Sequence, residues 1–61
     1  MNYYCIRLGS SYVDSFVSYI NHIGGAITGC TYDGKKYMFV YKSHYKITRL
    51  NIIDYMENIH E

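Results

Sequence analysis

The sequence predicts a small α+β fold, an antiparallel sheet with two helices packed on one of its faces. Three observations support this prediction: strand-like alternation over residues 2–8, a helical repeat of apolar residues over 11–23, and an Asp-Gly pair between two further strand-like segments. Alternation with a period of two is typical of a half-buried strand, and a period near 3.6 is typical of an amphipathic helix. We expect one domain spanning residues 1–61.

Residues 2–8 are predicted to form a strand that places three side chains on one face: Tyr4, Ile6 and Leu8. A helix over 11–23 follows, with Ser11 as its cap and Gly24 as the left-handed residue that ends it. The apolar stripe of this helix consists of Val13, Phe16, Val17, Ile20 and Ile23.

A β-hairpin is predicted around Asp33-Gly34, the dipeptide that best suits a two-residue type I′ turn. Its strands span 26–32 and 35–42. Closing this turn pairs Tyr32 with Lys35, Cys30 with Tyr37, Thr28 with Phe39 and Ala26 with Tyr41. The opposite face then pairs Thr31 with Lys36, Gly29 with Met38 and Ile27 with Val40. Segment 37–41 is apolar or aromatic on both faces, and one helix cannot cover both.

The segment 43–50 allows two interpretations. It forms either a short third strand of the meander, Tyr45–Arg49, or a loop that leads into the last helix; we favour the strand. Asn51 is then expected to cap a helix with an apolar stripe of Ile52, Tyr55, Met56 and Ile59. The order β-α-β-β-(β)-α resembles a split β-α-β unit, a likeness of fold that carries no function.

The length and composition of the chain limit the functions it can have. It has 61 residues, 49% of them hydrophobic, but that fraction includes nine Tyr, and the formal net charge is +1. A chain of this size buries only about 60% of the surface that it exposes when unfolded. Because so thin a core cannot enclose a deep catalytic cleft, we expect a binding protein rather than an enzyme.

The sequence also predicts the compartment. Arg7 interrupts the N-terminal segment before a signal-like apolar run can form, and no run approaches the ~18 residues of a membrane span. Cys5 and Cys30 form no CxxC motif, which favours a reduced, cytoplasmic protein without a metal, a cofactor or a membrane. The short length and the abundance of Tyr and Ile, which AT-rich codons encode, favour a phage or viral accessory protein.

The leading functional hypothesis is a small non-enzymatic protein that binds and inhibits a host protein. Tyr is enriched at protein interfaces because it brings a large contact area at a low cost in side-chain entropy. We expect the contact to centre on Tyr37, Phe39 and Tyr41, with Lys35 and Lys36 at the rim. In the competing arrangement the helices bury this row, with Phe39 in the core, and leave an aliphatic surface of Ile27, Met38 and Val40.

A second candidate surface is acidic, and self-association is also predicted. Asp54, Glu57 and Glu61 form an acidic ridge on the last helix, suited to a basic groove on a target. The thin core and the two-sided apolar strand favour a homodimer, since two-fold dimers are the commonest closed oligomers. One alternative function is the capture of a small charged ligand between the two subunits.

Nucleic-acid binding is the other alternative. Five basic residues lie within fifteen positions that contain no acid, interleaved with aromatic residues such as Tyr45: Lys35, Lys36, Lys42, Lys46 and Arg49. Cations beside exposed rings are typical of single-strand binding, although a net charge of +1 is low for such a domain. Catalysis by Cys5 or Cys30 with His22 or His44 is not expected, because both cysteines lie in predicted strands, where a free Cys usually behaves as a small buried hydrophobe.

Overall fold

A computed structural model describes residues 1–59, which form a three-stranded antiparallel sheet and two α-helices. The elements in chain order are β1 (Asn2–Leu8), a 3-10 turn (Ser10–Tyr12), α1 (Val13–His22), β2 (Ala26–Tyr32), β3 (Tyr37–Ser43) and α2 (Arg49–Ile59). The strand order is β1-β3-β2, so β3 is central and pairs antiparallel with both neighbours. The predicted α+β class and the strand at 2–8 are confirmed.

Both helices contribute to one core on a single face of the sheet. The buried apolar residues of this core are Leu8, Phe16, Ile20, Phe39, Tyr41, Ile47 and Ile52. Exposure alternates along β3, where Phe39 and Tyr41 are buried and the residues between and beside them are less so. The strand therefore turns one face to the helices, and this confirms Phe39 as a core residue.

Tyr41 lies at the centre of this core and connects the sheet to the chain that follows. Its ring is fully buried between Phe16, at a centroid distance of 5.4 Å, and Tyr4, at 5.7 Å. Its hydroxyl accepts the backbone N–H of Ile47 at 2.8 Å and donates to the Ile47 carbonyl at 3.4 Å. Burial raises the pKa of the Tyr41 hydroxyl, so the group stays neutral and keeps both roles.

The preferred interpretation of residues 45–49 as a strand is wrong. Residues 44–48 form a loop, and α2 begins directly after it, as in the alternative interpretation. The physical reason is the Tyr41 hydroxyl, which holds the Ile47 backbone while the Ile47 side chain enters the core. A backbone N–H that bonds a buried side chain is no longer free to join a sheet.

The helix starts also differ from the prediction. α1 is preceded by a 3-10 turn in which the Tyr12 N–H bonds the Gly9 carbonyl at 3.0 Å, and Ser11 caps nothing. α2 begins at Arg49, because Thr48 is its cap: the Asn51 N–H bonds Thr48 Oγ1, and the Thr48 N–H bonds Asn51 Oδ1 at 2.9 Å. This reciprocal pair is a capping box, with Asn51 in the third helical position.

The end of α1 is set by glycines. Gly24 has a φ of +78°, so the predicted left-handed residue is confirmed. The next residue, Gly25, is required for a different reason: an added Cβ would lie 2.7 Å from the Lys42 carbonyl oxygen and 3.0 Å from the Ile20 side chain. The chain can therefore pass from α1 into β2 only by a close approach to β3.

The hairpin connection is longer than predicted. β2 ends at Tyr32 and β3 begins at Tyr37, which pairs with it, so the predicted Tyr32–Lys35 pair and the type I′ turn are wrong. A type I′ turn needs a positive φ at both central residues, whereas here Gly34 has a φ of +94° and Asp33 is not in the left-handed region. Asp33 Oδ1 instead accepts the N–H groups of Lys35 and Lys36 at 2.9 and 2.8 Å.

A β-bulge at Thr28 reverses the faces of the two residues that precede it in β2, Ala26 and Ile27. Gly29 pairs with Val40 and Ile27 with Tyr41, so Thr28 is the extra residue, and its hydroxyl bonds the Val40 carbonyl at 3.1 Å. The predicted pairing of Ile27 with Val40 is therefore wrong. Ile27 packs against the core rather than on the outer surface.

Replacing Tyr41 by Phe should destabilise the protein by about 1–3 kcal/mol, because the buried Ile47 N–H loses its partner. The matched control is Tyr32→Phe, whose ring is 58% exposed; we expect a change within about 0.5 kcal/mol there. Urea unfolding followed by circular dichroism measures both. Equal effects of the two substitutions would contradict the role given to the Tyr41 hydroxyl.

Replacing Thr48 by Ala should cost about 1 kcal/mol, because it removes the cap of α2. Ser11→Ala provides the control, since Ser11 makes no capping bond in this structure and its loss should be close to neutral. The free energies of unfolding of the two variants show which of the two side chains caps its helix. A larger loss for Ser11→Ala would restore the capping pattern predicted from the sequence.

Candidate interaction surface on the open face of the sheet

The side of the sheet opposite the helices is left uncovered by the described part of the chain. Strand pairing arranges its residues in three rows across β1, β3 and β2. The rows are Tyr3–Lys42–Ala26, Cys5–Val40–Gly29 and Arg7–Met38–Thr31. We refer to these nine residues as the open face.

The middle of the open face is apolar. Met38 is 39% exposed and Val40 is half-buried, and both lie on the central strand. On β1, Tyr3 is 64% exposed, and Cys5 beside it is a free, exposed thiol. Single exposed apolar residues are ordinary on protein surfaces, but a contiguous patch marks a site of interaction.

Charged groups frame this apolar centre at one end of the strands. The Arg7 guanidinium, on the β1 edge of the sheet, forms an ion pair at 2.5 Å with Asp33, which follows β2 at the opposite edge. Both side chains are about half exposed, so the pair itself adds little stability. The N–H groups of Lys36 and Lys35, and then Arg7, lower the pKa of the Asp33 carboxyl, which keeps it ionised.

Lys42 and Tyr3 frame the opposite end. The Lys42 Nζ lies 5.9 Å from the centroid of the Tyr3 ring, a cation–π contact that leans the lysine toward β1. Such contacts contribute about 0.5–1 kcal/mol at exposed sites. This end of the open face therefore carries a positive charge beside an aromatic ring.

The helices cover the aromatic row that the sequence analysis proposed as the contact. Phe39 and Tyr41 are buried, so the expectation that their rings project toward a target is wrong. Tyr37 is half-buried. Its ring is stacked on Phe39 at 6.3 Å and tilted by 38° against the exposed ring of Tyr32 at 4.6 Å. The competing arrangement describes the outer surface correctly for Met38 and Val40.

The basic residues of the hairpin are divided between the two ends of β3. Lys35 and Lys36 are exposed in the hairpin connection, at one end of β3. Lys42 lies near the other end, about 20 Å from Lys36 at ~3.3 Å per residue. Two more cations follow in the loop and at the start of α2: Lys46 and Arg49. Lys35 and Lys36 therefore lie at the opposite end of β3 from Lys42.

The acidic ridge is only partly described. Asp54 and Glu57 are exposed on α2, whereas Glu61 lies outside the described residues. On α1, the His22 ring packs against the Tyr55 ring of α2 at a centroid distance of 5.6 Å. His22 is too far from either cysteine in the sequence to form a zinc-binding motif with it. Within residues 1–59 there is no pocket, no group of three metal-ligating side chains, and no helix with the length and hydropathy needed to cross a membrane.

A polar cluster on the helix side connects α1, α2 and the loop between β3 and α2. The hydroxyls of Tyr19 and Tyr45 are 2.5 Å apart, and Ser18 Oγ lies 2.7 Å from the Tyr55 hydroxyl. Partial burial, together with the Tyr45 hydrogen bond, raises the pKa of Tyr19 to about 12. The hydroxyl of Tyr45, the residue that the nucleic-acid hypothesis assigns to base stacking, therefore connects the loop to α1.

Sequence reasoning missed the β1 half of the open face. Tyr3, Cys5 and Arg7 alternate with the buried side of the same strand, so the period-two pattern over 2–8 already places them together. The strand order, which sets Arg7 beside Met38, has no such local signal. Comparisons with protein-family models, with curated proteins and with solved structures find no match for this chain. The function is therefore inferred from this surface.

The charge of Asp33 should make stability depend on pH in a defined direction. Because its folded-state pKa is lowered from 3.8, the stabilisation is complete above that value and is lost as the pH falls below it. Asn at position 33 keeps an oxygen for the two loop N–H groups and removes the charge. We expect wild type to exceed Asp33→Asn in unfolding free energy at neutral pH, and the difference to vanish in acid. A pH-independent difference would contradict this account.

Proposed function

We propose that the protein is a small non-enzymatic binding protein that holds another protein on the open face of its sheet. The observation that carries this proposal is a whole sheet face, apolar at its centre and charged at its ends, that the described chain leaves uncovered. The two helices form one layer on one face of the sheet, and the core uses that face alone. The second face is available for a partner.

The composition of the open face supports this proposal. Aromatic residues, Met and Arg are enriched in protein interfaces, and Tyr3, Met38 and Arg7 are of these types. The apolar centre is bordered by Lys42 at one end and by the Arg7–Asp33 pair at the other. An apolar centre with a polar rim is the usual anatomy of an interface, and the centre supplies most of the binding energy.

The long side chains of the face are partly ordered before binding. Arg7 is held by Asp33, and Lys42 leans on the Tyr3 ring. Immobilising a side chain with many rotamers costs about 0.5–1.5 kcal/mol on association. Because these side chains are already partly ordered in the free protein, the charged rim can orient a bound partner with only a small further loss of side-chain entropy.

A mode of action follows from the size of the chain. A 61-residue protein that occupies a surface of its partner can block that surface without any chemistry of its own. The Tyr- and Ile-rich composition fits a phage or viral accessory factor acting on a host protein in the host cytoplasm. Inhibition by occupancy is the activity we propose for that setting.

Site-specific photo-cross-linking tests the proposed surface. p-Benzoylphenylalanine placed at Met38 should give adducts in the native host, whereas the same group at Asp14, exposed on α1, should not. A Val40→Glu substitution in the cross-linking chain should abolish the adducts, because a carboxylate in the apolar centre must be desolvated on binding. Adducts from Asp14 alone, or none from Met38, would reject the open face as the binding surface.

A further inference from the structure

We infer that the outer edge of β1 pairs with the same edge of a second copy of this chain, so that the two sheets join side by side into one. This inference goes beyond the proposed function, because it concerns the edge of the sheet and leaves the open face to the proposed partner. Three features carry it: the unpaired backbone of β1, the match of its sequence to itself when one copy is reversed, and the incomplete cover of its core-facing side chains.

β1 is an edge strand with a free row of backbone groups. All seven of its residues, Asn2–Leu8, pair with β3. Within residues 1–59, β3 is the only segment that hydrogen-bonds the β1 backbone. The N–H and C=O groups of alternate residues in an antiparallel strand point to opposite sides, so half of those in β1 point away from the sheet. An extended peptide has the spacing of donors and acceptors that matches such a row.

The two edges of the sheet differ in how well they resist pairing. Proteins protect edge strands with Lys, with Pro, or with a bulge that twists the strand away from a neighbour. β2 has the bulge at Thr28, whereas β1 keeps an unbroken register and contains neither Lys nor Pro. β1 is therefore the edge that accepts another strand.

A second copy supplies the matching strand in a formed state. Its own β1 is already extended and has the same free row of backbone groups. A flexible segment of another protein would first have to be ordered, at a cost in conformational entropy for every residue. A two-fold axis perpendicular to the sheet brings the two β1 strands together antiparallel, as an isologous contact in which the two rows satisfy each other.

The symmetry fixes the register of this pairing. Residues that face each other in an antiparallel pair lie on the same side of the sheet, so the axis must pass beside a residue rather than between two. Cys5 is the middle residue of β1, and an axis there gives all seven residues a partner. The facing pairs between the two copies are then Asn2–Leu8, Tyr3–Arg7, Tyr4–Ile6 and Cys5–Cys5.

The pairing completes the core along its open margin. Tyr4 and Ile6 face the helices and pack against the core but stay half-buried, whereas Phe39 and Tyr41 on the central strand are buried. In the dimer each Tyr4 lies beside Ile6 of the other copy. An aromatic residue opposite a β-branched one is a stabilising cross-strand pair. The apolar layer under the helices thus continues across the axis.

No like charges meet in β1 of the two copies. The one charged residue of the strand is Arg7, which is held by Asp33 of its own chain. Across the axis Arg7 lies opposite Tyr3 of the other copy rather than opposite its own counterpart. Like charges that face each other across two strands are destabilising, and this register avoids them.

The dimer also determines how the proposed partner is met. An axis perpendicular to the sheet keeps the helices of both copies on one side of it. The two open faces then lie next to each other on the other side of a single sheet with twice the three strands of one chain. Both open faces stay free in this arrangement.

Oxidative cross-linking of single-cysteine variants tests the register. In Cys30→Ser the remaining thiol is Cys5, and facing residues of antiparallel strands have Cα atoms about 4.5–5.5 Å apart, within the range of a disulfide. Diamide should convert this variant at tens of micromolar to a covalent dimer on a non-reducing denaturing gel. Cys5→Ser, which keeps the exposed Cys30 on the other edge of the sheet, is the matched control and should form none.

Sedimentation tests the dimer without a cross-link. The wild type at tens of micromolar should sediment as a dimer of the 7.2 kDa chain. Cys5→Asp places two carboxylates opposite each other at the axis and should raise the dissociation constant at least ~10-fold. Cys30→Asp makes the same change at the other edge and should leave the dimer intact. Both positions are exposed, and circular dichroism checks that both variants are folded.

A wild-type chain that sediments as a monomer throughout this range would overturn the inference. So would a dimer that a folded Cys5→Asp leaves intact, or a covalent dimer that forms from Cys5→Ser as readily as from Cys30→Ser. If Cys5→Asp does not fold, the two single-cysteine variants decide the question. The adducts from Met38 report on the open face alone, so the proposed function is tested separately from this pairing.

Discussion

The hydroxyl of Tyr41 is the interaction on which the rest of the structure depends. A fully buried phenol on the central strand needs a hydrogen-bond partner, because an unpaired polar group in a core costs more than a satisfied one contributes. The Ile47 backbone supplies that partner and is thereby fixed against the sheet. The Ile47 side chain enters the core, and α2 begins two residues later. One buried bond thus determines where the second helix lies.

The position of the helices decides which side of the sheet can act. Because α1 and α2 both pack over Phe39 and Tyr41, the alternate residues of β3 are left facing outward. Neighbouring residues of a strand point to opposite faces, so burying one set of β3 side chains necessarily exposes the other set. The aromatic residues Phe39 and Tyr41, which the sequence predicts as a contact surface, are therefore part of the core. The aliphatic residues Met38 and Val40 form the outer surface instead.

The bulge at Thr28 links the core to the shape of this surface. It adds one residue to β2, which moves Ile27 to the helix side, where it packs against the core. The residues of β2 that remain on the open face are small. A single irregularity therefore contributes apolar volume to a thin core and also leaves only small β2 residues on the open face.

Local patterns in the sequence determined much of this protein. Alternation specified β1, the apolar repeat specified α1, and Gly24 marked its end, because each of these depends on residues close together in the chain. Tertiary structure alone decided the loop at 44–48, the bulge and which face of β3 is buried, because these depend on contacts between segments, such as Tyr41 with Ile47 and Gly25 with the Lys42 backbone. The four-residue hairpin connection is closed by a local contact of Asp33 with the N–H groups of Lys35 and Lys36, which the Asp-Gly pattern does not distinguish from a two-residue turn. Both faces of β3 are apolar enough for a core, so only the packing of the helices could choose between them.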